Sequence, residues 1–163
     1  MMQTVILRKM NETEYLQWKE WSTSDYAKSL IESGQCSQSD AKAQAEAELS
    51  SYLKNGLSTP NHCVLVTENT DGLPVGMIWY ETEDPARAFI ADFVVYDAYR
   101  RTGYGRAVLA EMERMVKLAG VSSVQLHVFA QNKSAIALYG KCGYTVMAGG
   151  DADAGSLYMK KQL

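Results

Sequence analysis

The chain has 163 residues, of which 47% are hydrophobic and 21% charged, as in an ordinary globular domain. Its net charge of −3 argues against a nucleic-acid-binding protein, because such proteins usually carry a basic domain. Three distant cysteines without a CxxC pair, and only two histidines, favour neither a disulfide framework nor a metal site. Because neither a signal-peptide pattern nor a membrane-length apolar run occurs, we expect a cytoplasmic protein without a membrane partner.

The predicted elements begin with a short, β-branched strand over residues 4–10. Two helices follow. Asn11, with Glu14 three residues later, predicts a capping box at the first of them. Residues 37–56 predict an alanine-rich second helix, for which Ser37 and Asp40 resemble a cap.

The pattern then changes to strands. Residues 62–69 and 73–83 predict a hairpin, and the apolar residues 86–97 predict a central strand buried on both faces. A helix over 105–120, a strand over 121–130, a short helix over 132–143 and two final strands complete the order. This order predicts one α/β domain, with a mixed sheet and helices on its faces.

The stretch YRRTGYGRAV, residues 99–108, joins the central strand to the next helix. The first turn of a helix leaves backbone N–H groups unpaired, and glycines at 103 and 105 would let a ligand approach them closely. Arg100, Arg101 and Arg106 add positive charge, so the stretch predicts a pyrophosphate site. The alternative is a basic turn that needs glycine for its dihedrals, because neither a P-loop nor a full GxGxxG is present.

A second segment lies downstream, where Asn132, Ala135, Leu138 and Tyr139 precede Gly143-Tyr144. Together the two segments resemble the GNAT superfamily of acetyl-CoA-dependent N-acetyltransferases. RRTGYG is similar to the family's Q/R-x-x-G-x-G/A loop, and the later segment to its N-x-x-A-x-x-L-Y-x-x-x-G-F/Y pattern. The resemblance covers residues 4–163 and implies a single N-acetyltransferase domain with a mixed, mostly antiparallel central sheet flanked by helices.

The resemblance also implies an acyltransferase that moves an acetyl group from acetyl-CoA to a primary amine of a small molecule or peptide by direct attack. The loop would hold the pyrophosphate, the central strand would pair with the pantetheine arm, and the next strand would splay away to make room. The Tyr139 hydroxyl would protonate the leaving thiolate, without a metal. The cofactor-binding residues so implied are Phe93, Val94, Val95, Arg100, Arg101, Thr102, Gly103, Tyr104, Gly105, Arg106, Asn132 and Tyr139.

The general base stays open at this point, because the strand positions where many relatives carry a glutamate are not acidic here. Asp92 is one candidate, and strand alternation places it on the same face as Ile90 and Val94. Glu81, Glu83 and Asp84, each acting through water, and ordered water alone are the others. Because that glutamate is missing, a non-catalytic acyl-CoA-binding or regulatory module is an alternative to the enzyme. A nucleotide-binding protein that uses the loop alone is a weaker alternative.

The acceptor pocket is the least constrained part of the sequence. Trp18, Trp21 and Tyr26 on the first helix would line it or pack in the core, and His127 is expected to be structural. The cysteines are expected to be buried small hydrophobes. Dimers are common in the family, so a homodimer is a further expectation.

Overall fold

The structure is a computed structural model that describes residues 3–148 and 155–163. The strands are β1 (Ile6–Lys9), β2 (His62–Glu68), β3 (Pro74–Glu81), β4 (Arg87–Val95), β5 (Ser123–Phe129), β6 (Thr145–Val146) and β7 (Ser156–Gln162), and the helices are α1 (Glu12–Glu32), α2 (Ala41–Tyr52), α3 (Tyr104–Leu118) and α4 (Lys133–Lys141). In the described residues the strands form one sheet in the order β1-β2-β3-β4-β5-β7-β6. The β4–β5 pair is parallel and the other pairs are antiparallel, which confirms the predicted mixed, mostly antiparallel sheet.

Helix α1 begins at the predicted capping box. The Asn11 side chain accepts a hydrogen bond from the Glu14 amide at 2.8 Å, and the Glu14 carboxylate accepts one from the Asn11 amide at 3.0 Å. Arg8 also donates to the Glu14 carboxylate, which lowers the pKa of Glu14 to about 2. The cap predicted for α2 is wrong: the Ser37 hydroxyl donates to the Asp40 carboxylate, and Asp40, the residue before α2, makes no side-chain cap hydrogen bond.

The two faces of the sheet carry separate hydrophobic clusters. On one face α3 and α4 pack on the sheet through Val108, Leu109, Met112 and Tyr139, in a cluster that includes Ile78 of β3. On the other face α1 and α2 pack around Trp18, Leu49, Met77 and Trp79. Because Met77 and Ile78 are neighbours on one strand, their division between the clusters follows the alternation of a pleated strand. None of the helices in the described residues is long and apolar enough to cross a lipid bilayer.

Strand β4 carries a β-bulge. Tyr80 on β3 pairs with Ile90, and the preceding Trp79 pairs with Asp92, so Ala91 is an extra residue. The bulge changes the phase of the strand: Ile90 lies in the α3/α4 cluster, whereas Val94 packs in the α1/α2 cluster. The prediction that Asp92 shares a face with Ile90 is therefore wrong, although Asp92 does share the face of Val94.

Strands β4 and β5 separate beyond the bulge. Their parallel pairing runs from Arg87–Ser123 to Ile90–Leu126, while β5 continues as far as Phe129 and pairs there with β7. The second half of β4, residues 91–95, keeps its pairing with β3 and has no β5 partner in the register. One edge of this half-strand is therefore open, and the sheet is split at this point.

Candidate functional site

A cleft of about 1360 Å³ lies where β4 and β5 separate. Its walls include residues of α1 and α2 from one face of the sheet and residues of α4 and the α3 N-terminus from the other, so the cleft crosses the sheet. Of the residues predicted to bind the cofactor, those that line it are Phe93, Val94, Val95, Arg100, Arg101, Gly103, Gly105, Arg106, Asn132 and Tyr139. Thr102 and Tyr104 are described by the structure but are not part of this lining.

The loop before α3 has an unusual backbone. Arg101 has a φ of 62° and Gly103 a φ of 94°, so two left-handed residues are separated by one position. Ala107 donates the hydrogen bond to the Gly103 carbonyl that begins the helical ladder. The amides of residues 104–106 therefore have no acceptor within the helix, as at any helix start. A winding loop of this kind with free amides is a concave site for an anion.

Side chains on the loop hold its shape. The Arg100 guanidinium donates to the Val95 carbonyl at 2.8 Å and pairs with Asp97 at 2.9 Å, which joins the loop to the end of β4. The Thr102 hydroxyl donates to the Tyr99 carbonyl at 2.6 Å. Tyr104 packs edge-on against Tyr99, with ring centroids 5.8 Å apart. Thr102 and Tyr104 therefore stabilise the loop, whereas the exposed Arg101 and Arg106 lie at the mouth of the cleft.

Gly105 has a packing role that the sequence did not indicate. A Cβ built on Gly105 would lie 2.9 Å from Cδ2 of Leu138, so the missing side chain is what allows α3 to approach α4 closely. This packing role is additional to the predicted role of Gly105 in backbone access for a ligand, and Gly105 does line the cleft. Gly103, with its positive φ, is the glycine that the turn itself requires.

Helix α4 brings Asn132 and Tyr139 to the cleft. Asn132 is the predicted N-cap, and its side chain accepts a hydrogen bond from the Ala135 amide at 3.3 Å. Tyr139 is buried between the rings of Phe93 and Tyr144, at centroid distances of 6.4 and 5.9 Å. Burial, and secondarily the nearby Asp92 carboxylate, raise the pKa of Tyr139, so its hydroxyl stays protonated at neutral pH.

Asp92 reaches the same cleft from the opposite face of the sheet. Its Oδ2 accepts hydrogen bonds from the Trp18 indole at 3.2 Å and from the Ser22 hydroxyl at 3.0 Å, both on α1. Burial raises the pKa of Asp92, and the two hydrogen bonds oppose that shift without cancelling it. The carboxylate is therefore held in place and is a better proton acceptor than a solvated aspartate.

Glu81 lies in a network of paired groups. Its carboxylate accepts a hydrogen bond from the Arg87 guanidinium at 3.0 Å, and burial raises its pKa although Arg87 opposes that shift. Nearby, Nδ1 of His62 accepts from the Trp79 indole at 3.0 Å, and Nε2 of His62 faces the Glu83 carboxylate at 3.1 Å. Side-chain atoms of His62, Glu81 and Glu83 lie within 4.8 Å of one another, but all three are engaged in these contacts.

The remaining wall of the cleft is aromatic. Trp21 and Tyr26 line it, whereas Trp18 is buried in the core. His127, expected to be structural, also lines the cleft, as do Tyr52 and Tyr158, for which the sequence carries no local signal of a site. Tyr158 pairs directly with His127 across β5 and β7, a relationship that needs the strand order and is not readable from either segment alone.

Comparisons with known proteins agree with this geometry. The sequence matches the model of the acetyltransferase (GNAT) family over residues 14–144. It is 31% identical over 144 residues to the uncharacterised N-acetyltransferase YycN of Bacillus subtilis (strain 168), covering 86% of this chain and 92% of the relative. It is 30% identical over 161 residues to the uncharacterised N-acetyltransferase YdgE of the same strain, covering 96% and 97%.

Solved structures share the fold. The crystal structure of YycN from Bacillus subtilis is similar with a TM-score of 0.83 at 30% identity, covering 87% of this chain and 92% of that one. The PaiA N-acetyltransferase of Thermoplasma acidophilum, solved in complex with coenzyme A, is similar with a TM-score of 0.71 at 19% identity, covering 98% and 99%.

Proposed function

Since the chain belongs to the acetyltransferase (GNAT) family and is an acetyl-transferring enzyme, we propose that it moves an acetyl group from acetyl-CoA to a primary amine of a small molecule or peptide by direct attack. The observation that carries the proposal is the convergence of Asp92 and Tyr139 on one cleft from opposite faces of the sheet. Transfer of an acetyl group from a thioester to an amine requires a proton acceptor and a proton donor.

The loop and the open edge of β4 fit coenzyme A. The free amides after Gly103 and the exposed Arg101 and Arg106 suit a pyrophosphate. The open edge of β4 at Phe93 to Val95 offers backbone groups to the amides of a pantetheine arm, in the manner of an added strand. Asn132 lies on the same wall. The Thermoplasma acidophilum neighbour with this fold was solved with coenzyme A, which supports the same ligand here.

Asp92 is the general base in this proposal. A protonated amine must lose a proton before its nitrogen attacks the thioester carbon, and the raised pKa of Asp92 suits it to accept that proton. Glu81 is the weaker candidate because its carboxylate is already paired with Arg87. The Trp18 and Ser22 hydrogen bonds fix the position of Asp92, which limits the reorganisation needed during transfer.

Tyr139 is the general acid. As the new C–N bond forms and the C–S bond breaks, the sulfur leaves with the electron pair and takes the phenolic proton, and the proton that the nitrogen loses on becoming an amide returns the phenolate to its neutral form. A thiol has a pKa of about 8.5, so a tyrosine that stays protonated at neutral pH is always ready to donate a hydrogen bond to the thiolate. Burial between Phe93 and Tyr144 holds the Tyr139 ring in place at the cleft.

The proposal also places the reaction in the cytoplasm. Cys36, Cys63 and Cys142 are free and half-buried, which supports a reducing compartment. They pack beside hydrophobic clusters, which supports a role as small hydrophobes rather than nucleophiles, but the expectation that they are buried is wrong because all three are half-buried.

Two measurements test the proposal. Isothermal titration calorimetry should detect acetyl-CoA binding at micromolar concentrations, with ATP a poor competitor. Mass spectrometry of a mixed panel of amines, incubated with acetyl-CoA and the protein, should show a mass gain of one acetyl group on at least one amine. Binding of acetyl-CoA without transfer to any amine would instead favour a regulatory acyl-CoA-binding module.

A further inference from the structure

We propose that the end of the cleft away from the basic loop is a subsite for a second cationic group of the acceptor, so that the substrate is a diamine or another dibasic amine. The subsite consists of Glu48 on α2 with the rings of Tyr26, Tyr52, His127, Phe129 and Tyr158, all of which line the cleft. The inference rests on the proposed function, because it takes the cleft to be where the acceptor amine reacts.

The rings of this subsite are in mutual contact. The centroid of His127 lies 4.9 Å from that of Phe129 and 5.2 Å from that of Tyr158, and Tyr26 lies 6.1 Å from Phe129. Tyr52 and Tyr158 remain 58% and 42% exposed, so their rings are accessible to a ligand. Aromatic faces grouped around an open space attract ammonium ions through the ring quadrupole.

Glu48 supplies the charge. It is half-buried among these rings and accepts a hydrogen bond from the neutral Gln44 amide at 3.3 Å, and burial together with the nearby Glu48 carboxylate raises the pKa of the Tyr26 phenol. Burial lowers the pKa of His127, although the Glu48 carboxylate opposes the shift, so the imidazole is neutral at pH 7 and does not balance Glu48. The Glu48 charge is therefore solvated by neutral donors and lacks a cation within the described subsite.

The distribution of charge along the cleft also supports a cation-binding role for Glu48. Among the described residues that line it, the cations are Arg100, Arg101, Arg106 and Lys141 near the loop and α4, and Arg87, which is paired with Glu81. Of the four carboxylates in the lining, Glu81 is paired with Arg87, and Asp25 lies within electrostatic reach of Lys28 and Arg100. This leaves Asp92 and Glu48 without a cationic partner in the described part of the cleft. In the proposed reaction Asp92 receives the proton of the reacting amine, which leaves Glu48 for a charge elsewhere on the same molecule.

A row of neighbouring aromatic side chains connects Asp92 to Glu48. Asp92 is paired with Trp79 across the sheet, and the Trp79 ring packs against Tyr52 at 6.2 Å. Tyr52 and Glu48 both lie near the Tyr26 phenol. A ligand that reaches both carboxylates must span these rings. Its linker between the two nitrogens should therefore be a flexible, apolar chain rather than a compact polar one.

The test compares α,ω-diamines of three to eight carbons with n-alkylamines of the same lengths. Binding to the coenzyme A complex is measured by isothermal titration calorimetry, and acetyl transfer is measured separately. Diamines should bind about tenfold more tightly than the matched monoamines, with an optimum at one chain length. Glu48→Gln keeps the shape of the side chain and should remove most of that preference while leaving monoamine binding unchanged.

Glu46→Gln is the matched control, because Glu46 lies on the same helix, is exposed and does not line the cleft. Tyr158→Leu, on a different element, should also weaken diamine binding and guards against a folding defect peculiar to α2. Equal affinity for diamines and monoamines in the wild-type protein, or an equal loss for both in Glu48→Gln, would overturn the inference. Tight diamine binding without acetyl transfer would instead contradict the proposed function and leave the subsite standing.

Discussion

Gly76 on β3 lies so close to Val94 on β4 that a Cβ built on Gly76 would stand 2.0 Å from the Val94 carbonyl oxygen. The contact falls in the half of β4 whose other edge is open to the cleft. Any side chain at position 76 must therefore displace backbone rather than a flexible side chain. The position of the proposed pantetheine-binding edge depends on a glycine one strand away.

We predict that Gly76→Ala weakens acetyl-CoA binding about tenfold or more and destabilises the fold by about 1–3 kcal/mol, the usual range for overpacking. Calorimetry with acetyl-CoA and thermal unfolding would measure the two effects. Gly140→Ala is the matched control, since a Cβ on Gly140 meets nothing within 4 Å. That variant should keep its affinity and be as stable as the wild type or more so. Normal affinity in Gly76→Ala would contradict the prediction.

Asp92→Asn should have opposite effects on activity and stability. Loss of the base should lower kcat about 10²-fold or more. The substituted amide would still offer an oxygen to Trp18 and Ser22, so those contacts survive. Glu81→Gln, which alters the alternative base, should change kcat by only a few-fold; a larger loss there than in Asp92→Asn would transfer the role to Glu81.

The stability effect follows from the raised pKa of Asp92. A carboxyl whose pKa is higher in the folded state than the unfolded value of 3.8 destabilises the fold when ionised, and the penalty vanishes as pH falls below 3.8. Asp92→Asn should therefore have the higher Tm at pH 7, by roughly 2–4 °C for each 1 kcal/mol recovered. The difference should shrink towards acid pH. A Tm difference independent of pH would show that ionisation of Asp92 is not its cause.

Tyr139→Phe should lower kcat by about 10²-fold while leaving the Kd of acetyl-CoA within a few-fold. The reason is that the Tyr139 hydroxyl has no hydrogen-bond partner among the described residues, so its removal leaves the packing of the ring with Phe93 unchanged. Tyr144→Phe is a suitable comparison, because that hydroxyl donates to Glu113 at 2.9 Å. It should lower Tm and spare kcat. Full activity of Tyr139→Phe would rule out the acid role.

Gly105→Ala and Leu138→Val should be coupled. The methyl group added at position 105 would meet Cδ2 of Leu138, and shortening Leu138 relieves that contact. Gly105→Ala alone should lose about 1 kcal/mol of unfolding free energy, and the double variant should lose less than the sum of the two single variants. Denaturant unfolding of the four proteins measures this. Strict additivity would mean that the two residues do not limit the approach of α3 to α4.

Local signals explain what the sequence could predict. The order of the elements, the cap at Asn11 and the cap at Asn132 each depend on residues within a few positions of one another. The face of Asp92 could not be predicted in this way. Residues 86–97 are apolar on both faces, so the extra Ala91 leaves no break in the pattern, and the bulge shows only in the pairing with β3.

The acceptor side illustrates the same limit at longer range. Glu48, Tyr26 and Tyr158 come from α2, α1 and β7, and each appears in its own segment as an ordinary polar or aromatic residue. Their proximity depends on β7 inserting between β5 and β6, an order that the strand sequence alone does not determine. The cofactor loop can be predicted from the sequence because its residues are contiguous. The acceptor subsite cannot be predicted in this way because its residues come from separate elements.

The cleft carries positive charge at the loop and negative charge at Asp92 and Glu48, and this polarity has a kinetic consequence. A polyanionic ligand that enters in the wrong direction meets repulsion from the carboxylates, and a dication that enters at the loop meets the arginines. Long-range electrostatics therefore directs the polyanionic ligand to the loop end and the dication to the carboxylate end before any close contact forms. Added salt should slow both association rates and also make misdirected, inhibitory binding more frequent, so substrate inhibition should deepen with ionic strength.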